Sequence, residues 1–518
     1  MTKKVNLDAL IPREDFEINE EQESVGTDRD KINIKDIEID SFFFPALRKP
    51  DFQRETNEWE IDKIAKLIKS FLDGDLIPAI ILWKNPYGTI FVIDGSHRLS
   101  ALGAWVNDDY GDGMLSNKFY QNKISNEQLE IAEDAREHIN KNIQSYDYYK
   151  QAAKNPSRID SLTSKRAKNL GSLSVQLQWV KGNADKAEDS FFNINQQASP
   201  INKTELTLLK SRKKPNSLAT RAIIRSGTGH KYWSKFEKSK QQKIESIANN
   251  INKILFDPRY QTPIRSLDLP LGGNRISSQT LTYDLVNITN MITNASILKD
   301  DNDGDDTIDF LTKCRKVCWL LNSCHASSLG LHPIIYCYSL EGRHKPASFY
   351  SMAALGLDML DNEVLKKEFI SVREKFEEIL LNYSYLVQQI VQENQRLAVN
   401  SFNSIKVFYM ALIKGLSNGK NAPDLIIEIL KEKRFNRLKI KGELDVVTSN
   451  KKDFSTDIKS NTFIKNAIPG LQKCSICKGF LHKNSITMDH KIRKREGGTG
   501  SLDNADLAHP YCNSTIKN

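Results

Sequence analysis

The 518-residue chain contains no run of eighteen apolar residues, which excludes an ordinary transmembrane helix and any membrane partner reached by one. Its opening, MTKKVNLDALIPRED, lacks the apolar core of a secretory signal, so export by that route is not expected. Cysteine is scarce: seven residues, an odd number, scattered over a long chain. That excludes a disulfide framework and makes a reducing cytoplasm the expected location. No internal repeat is visible, which sets repeat architectures aside. With 39% hydrophobic and 27% charged residues, the chain is too apolar for wholesale disorder and too long for one core. Two to four domains are expected.

The net charge of +9 permits a polyanionic partner without demanding one. Its distribution is more telling. Residues 1–40 carry six basic and twelve acidic groups, whereas residues 466–518 carry eight basic and four acidic. Residues 1–40, with acidic Glu20, Glu21 and Glu23 beside short apolar pieces, read as a partly ordered acidic arm.

Residues 41–215 alternate in the α/β manner. Ile61, Ile64, Leu67, Ile68 and Phe71 share one face of a helix over Glu60–Leu72. Ala79–Trp83 and Thr89–Ile93 read as strands around a Pro86 and Gly88 turn, and a helix begins near His97. Residues 216–440 are mostly helical, with clear cases at 309–321, 362–393, 404–416 and 423–433. The polar stretch 441–465 reads as a linker, and 466–518 as a compact terminal module. The fold class expected is therefore multidomain α+β: an α/β N-terminal domain, a largely helical middle and a small C-terminal module.

In that module, Cys474 and Cys477 have the two-residue gap that lets both thiolates grip one tetrahedral metal. After thirty-one intervening residues, His509 and Cys512 repeat the gap. Together they make a Cys₃His set suited to structural Zn2+, in a segment too small to hold a large core. Between the pairs lie Asp489-His490, a basic Gly-rich loop (Lys491 to Gly500) and Asn504, and Asn513 directly follows Cys512. This order resembles the HNH endonuclease family, whose ββα-metal finger runs CxxC, DH, GG, N, CxxC and a final His or Asn. Here His509 stands for the third zinc cysteine and Asn513 for the final His. The resemblance implies a phosphodiesterase. His490 would act as general base on water, and Asp489 and Asn513 would be oxygen ligands of one catalytic Mg2+ or Mn2+. Asn504 would tie the loop and orient the His490 backbone. Lys491, Arg493, Lys494 and Arg495 can contact phosphates of double-stranded DNA without reading bases. A finger that only bound nucleic acid would have no reason to hold Asp-His and an Asn after the zinc cysteine.

The sharpest signal in the first half is Asp94-Gly95-Ser96-His97-Arg98, a glycine turn between a strand and a helix. Backbone N–H groups and Arg98 would converge there on a phosphate. With Phe52-Gln53-Arg54 and Trp59 upstream, and Phe192 to Asn195, Ser199 to Ile201 and Glu205-Leu206 downstream, it resembles the ParB/sulfiredoxin-like superfamily, particularly its DUF262 and DGQHR-type domains. That implies a nucleotide- or phosphate-binding site at Gln53, Arg54, Asp94, Gly95, His97 and Arg98, with a nucleoside triphosphate as candidate ligand. Ser96 replaces the family Gln, which puts nucleotide hydrolysis in doubt. The plain structural reading is a helix cap with an Arg98 ion pair.

Other signals read as structure. Cys314 and Cys318, one helical turn apart beside Val317, Trp319, Leu320 and Leu321, fit a buried helix better than a second metal site with Cys324, His325 and His332. The acidic run 300–306 fails as a calcium loop, because Lys299 and Phe310 fall where carboxylates are required, and reads as a solvated loop and helix cap. The long 362–393 helix reads as a bundle or dimer element, so a homo-oligomer stays open. Lys210 to Lys214 fit a DNA path or a solvated face equally. Joint presence of both resemblances points to a metal-dependent DNA endonuclease of restriction or anti-phage defence. A nucleotide-gated DNA-binding regulator with a non-catalytic zinc finger is the alternative, and an RNase is a third.

Overall fold

β-Branched and aromatic runs punctuated by Pro and Gly fold into a mixed six-stranded sheet near the N-terminus, in the computed structural model of the chain. Its strands are β1 (Arg13–Glu14), β2 (Lys31–Asn33), β3 (Leu47–Pro50), β4 (Ile80–Lys84), β5 (Ile90–Asp94) and β6 (Ser174–Trp179), in the order β1-β3-β5-β4-β6-β2. The described residues are 3–14, 16, 28–51, 53, 56, 59–85, 88–155, 159–198, 203–275, 278–440 and 453–516. They divide into two units, 1–212 with 228–232, and 213–227 with 233–518.

Alternation along β5 explains the layering of the first unit. Val92 packs with Leu82, Ile64, Ile68 and Leu99 on one side, while Phe91 and Ile93 pack with Trp83, Phe191 and Leu209 on the other. Both faces are buried because successive side chains point to opposite faces. Helices Ile61–Asp73 (α1) and Ser96–Asn107 (α2) supply one cover, and helix Ala184–Ala198 contributes Ala187 and Phe191 to the other. Gly95, at φ 92°, turns β5 into α2 in a conformation that suits glycine.

The expected arm is instead part of this unit. Val5, Leu7, Leu10 and Ile11 are core residues, and β1 pairs in parallel with β3. The arm also inserts Asp8, whose carboxylate is buried against Lys49 (2.8 Å) and Arg13. An acidic segment can be buried because its carboxylate is matched by two cations. Glu20, Glu21 and Glu23 lie outside the described residues.

The second unit is a helical assembly with the terminal module built into it. Helix Pro346–Leu360 packs on Ala398–Ser417, which also packs on Glu363–Asn382, and Lys238–Phe256 packs on Asp305–Leu321. The single helix expected over 362–393 is two, Glu363–Asn382 and Ser384–Glu393, broken at Tyr383. Asn382-Tyr383-Ser384 are three consecutive weak helix formers, which localises the break. The expected linker also differs. Residues 441–452 lie outside the described residues, but Thr456–Ala467 is a helix capped by Ser455. Its Ser460 Oγ accepts the Ile264 N–H at 3.0 Å, and Ile464 is fully buried, so tertiary contact orders a segment whose own periodicity is weak. The chain is thus multidomain and mixed α+β, with a helical bulk and a small C-terminal hairpin.

Candidate active site and zinc centre

The terminal hairpin pairs β7 (Thr487–His490) with β8 (Ala505–Ala508) antiparallel, setting Asp489 opposite Asp506 and His490 opposite Ala505. Asp489 and His490 close β7 as sequence neighbours, Asp489 the more deeply buried of the two. Asp489 is buried and its Oδ1 accepts the His490 N–H at 2.8 Å, while His490 is half-buried. Pro510 opens the short helical turn that follows β8, and Asn513 sits in the next, wider turn. Asn513 Nδ2 donates to Met488 O (3.0 Å) and Thr487 Oγ1 (3.2 Å), which fastens the turn against β7 beside Asp489.

Between the strands, Asn504 closes the loop. Its Oδ1 accepts the Ile492 N–H at 2.7 Å, its Nδ2 donates to Thr499 O (2.7 Å) and Ile492 O (3.2 Å), and its carbonyl accepts the Lys491 N–H. The loop is so tight that a Cβ on Gly498 would stand 1.9 Å from Ile492 O. Of the four basic residues, Lys491 donates to Asp503 O (3.0 Å) and Arg493 lies 3.8 Å from Glu496. Lys494 and Arg495 are exposed.

The two CxxC-like turns meet. Cys474, Cys477 and Cys512 sulfurs and a His509 ring nitrogen all lie within 4.8 Å of one another, and all four residues are buried. It is the one cluster of its kind among the described residues. Bonds of about 2.0–2.3 Å to a tetrahedral zinc would set such atoms roughly 3.3–3.8 Å apart, and Cys477 Sγ is 3.3 Å from His509 Nδ1. His509 Nε2 is instead 3.1 Å from Phe480 O, so Nδ1 is the nitrogen left for a metal. Burial, and then the Arg373 charge, push the His509 pKa down, which favours the neutral imidazole a metal requires. The knuckle is pinned by Cys474 N–H to Gly479 O (2.8 Å) and Ser475 N–H to Leu507 O (2.9 Å). The donor set fits zinc.

Residues far away in sequence complete this surround. Arg373 and Glu377 of helix Glu363–Asn382 are fully buried beside the knuckle. In sequence they are an i,i+4 charged pair, the pattern of a solvated helix face, so nothing local distinguished them.

In the first unit, Gln53 is buried and its Nε2 reaches Ile93 O at 3.4 Å, while its Oε1 has no hydrogen-bond partner among the described residues. Arg98 folds back on Asp94 (2.7 Å) and Ala79 O (3.1 Å), and Gly95 caps α2. This is the plain ion-pair arrangement. His97 is buried and stacks on Trp59, with ring centroids 5.8 Å apart. Gln53, Asp94, Gly95, His97 and Arg98 therefore gather at one end of β5, and Arg54 lies outside the described residues.

Cys314 and Cys318 are fully buried in helix Asp305–Leu321, and Cys324 is exposed. The acidic run does cap that helix, but through a buried residue. Asp301 accepts from Gly304 N–H (2.7 Å), Thr307 N–H (2.8 Å) and Thr307 Oγ1 (2.6 Å). The basic run is engaged as well, Arg212 with Asp51 (2.8 Å) and Lys214 with Ser296 O (2.9 Å). No helix among the described residues is long and apolar enough to cross a membrane.

Comparison with known families gives two matches: residues 32–212 to the GmrSD restriction endonuclease N-terminal domain, and residues 474–518 to the HNH endonuclease. No curated protein and no solved structure matches the chain. Residues 32–212 are thus similar to a GmrSD-type N-terminal domain and residues 474–518 to an HNH nuclease domain, and the two domains joined in one chain support a DNA endonuclease of the restriction kind, which hydrolyses phosphodiester bonds.

Proposed function

We propose that the terminal finger cuts double-stranded DNA by general-base hydrolysis, under control of the N-terminal domain. His490 takes the proton of the attacking water. Asp489 and the Asn513 oxygen would hold one hard divalent cation, Mg2+ or Mn2+, which would supply positive charge at the scissile phosphate. The observation carrying this reading is the bond from Asn513 Nδ2 to Met488 O. It commits the Asn513 amide nitrogen to the β7 backbone one residue before Asp489, so the amide oxygen is the end of that side chain that would ligate a cation. Asn504 keeps the loop following His490 in place, and Lys491, Arg493, Lys494 and Arg495 lie along the phosphate backbone.

The N-terminal site takes a nucleoside triphosphate or a DNA phosphate. Gln53 Oε1, buried without a partner among the described residues, costs about 1–3 kcal/mol there, and a ligand donor would relieve it. Arg98 then exchanges Asp94 for the incoming phosphate, with Gly95 and His97 lining the approach.

The test is a plasmid-cleavage matrix: modified and unmodified supercoiled DNA, with each NTP and without, for wild type and His490→Ala. Cleavage lost at least about 100-fold in the variant, with DNA binding kept, is expected. A His490→Ala protein that still nicks with Mg2+ overturns the catalytic assignment. Binding without cleavage in every wild-type condition favours the nucleotide-gated regulator.

A further inference from the structure

Arg373, Glu377, Phe480 and His509 form a connected chain at the Cys₃His cluster. Arg373 Nε donates to Glu377 Oε1 at 2.8 Å, and Glu377 Oε2 accepts the Phe480 N–H at 2.8 Å. Phe480 O receives His509 Nε2 at 3.1 Å, and Arg373 Nη1 stands 3.3 Å from His509 Nδ1, the nitrogen that would hold the metal, so this last leg is a charge contact and not a hydrogen bond. Two members come from helix Glu363–Asn382 and two from the finger. Arg373 also donates to Leu329 O and, at 3.0 Å, to Gly330 O.

The fit leaves no slack. A Cβ on Gly479 would stand 2.3 Å from Arg373 Nε, and one on Gly330 would stand 2.4 Å from His509 Cδ2. Both glycines therefore let a backbone approach closer than any side chain allows. Tyr511 Oη to Glu363 (2.7 Å) and Lys473 Nζ to Glu374 (2.9 Å) join the same two parts, and Tyr511 N–H to Ser328 O (3.0 Å) ties the finger to the loop after helix Asp305–Leu321.

The charges explain why a cation is needed there. A dication held by three thiolates and a neutral imidazole carries one net negative charge, and Glu377 adds a second, all buried. The Arg373 guanidinium lies between them, and buried like charges without a counter-ion are strongly destabilising. Its planar fork also fixes the Leu329–Gly330 backbone, which a lysine cannot do in the same way.

We propose that Arg373 is a positioning residue of the zinc centre, supplied from outside the finger, so that metal binding and seating of the finger on helix Glu363–Asn382 are one coupled event. This rests on zinc being the occupant of the Cys₃His cluster and is independent of whether His490 cuts.

The test uses the full-length chain, with zinc content measured first by elemental mass spectrometry. Zinc transfer to a chromogenic chelator is then timed for wild type, Arg373→Gln and Arg373→Lys. Release about 10–100-fold faster is expected for Gln, with Lys in between because charge is kept and the fork is lost. The Co2+-substituted centre should show a shifted ligand-field spectrum in the Gln variant. Wild-type release and spectrum in both variants overturn the proposal. Hydrogen exchange on the unmutated chain covers a variant that does not fold. Stripping zinc must speed exchange in residues 363–382 as well as in the finger, since coupling is reciprocal, and exchange unchanged in that helix overturns the proposal. A wild-type chain carrying no zinc overturns the zinc reading together with this one. Loss of cleavage in His490→Ala bears on neither.

Discussion

Asn504 engages its loop through both ends of its amide, and its backbone carbonyl adds a fourth bond, so one side chain holds residues 491–499 in place. The order DH, GG, N, through its resemblance to the HNH family, made Asn504 a candidate from sequence, and its partners all lie within thirteen residues of it. The proposed phosphate contacts can be sorted at this same scale. Lys494 and Arg495 are exposed, whereas Arg493 lies near Glu496 and Lys491 is bonded to Asp503 O. Replacing Lys494 or Arg495 by Ala should lower the slope of log K against log salt by about 1 each, without altering sequence preference. Anisotropy titrations of labelled duplex at several salt concentrations measure this. An unchanged slope in both variants removes them from the DNA path.

At the scale of elements, caps and strand alternation were more legible than helix ends. β4, β5 and α2 lie within a residue or so of where hydrophobic alternation and the Gly95 turn put them. The 362–393 helix did not stay whole, because periodicity continues across Tyr383 while backbone propensity does not. Asp301 illustrates a cap whose burial could not be anticipated. It holds the start of helix Asp305–Leu321 through three bonds to Gly304 and Thr307. Asp301→Ala should cost about 1–2 kcal/mol by urea unfolding. Excess calcium should not raise the wild-type melting temperature, since the carboxylate is already committed to the helix.

On the scale of the whole molecule, each unit carries its own expectation. In the first, the N-terminal residues are core, so removing residues 1–14 should lower its melting temperature and expose it to proteolysis. Measured stability equal to that of the intact chain would return this segment to the role of a loose arm. In the second, burial pushes His482 and His344 down to about 4. Both are neutral when folded and take up protons near pH 6.5 when unfolded. The unfolded state therefore binds more protons between about pH 6.5 and 4, and stability present above pH 6.5 is lost as pH falls through that window. Thermal melts of the unit containing 233–516 should show a midpoint that drops across this window, and His482→Gln should flatten the drop.

By itself the sequence named the candidate zinc and catalytic residues. Cys474, Cys477, His509 and Cys512, with Asp489, His490, Asn504 and Asn513, fall within forty residues, where chain connectivity and a short hairpin suffice to bring them together. It likewise carried the strand–glycine–helix turn of the N-terminal domain, a local construction. Only the tertiary structure decided what surrounds these groups. Arg373 reaches His509 across 136 residues of sequence, and Asp8 reaches Lys49 across 41. The physical reason is burial. A charged residue reads as surface until the fold places a counter-charge beside it in the interior, and no local pattern encodes where that partner will come from.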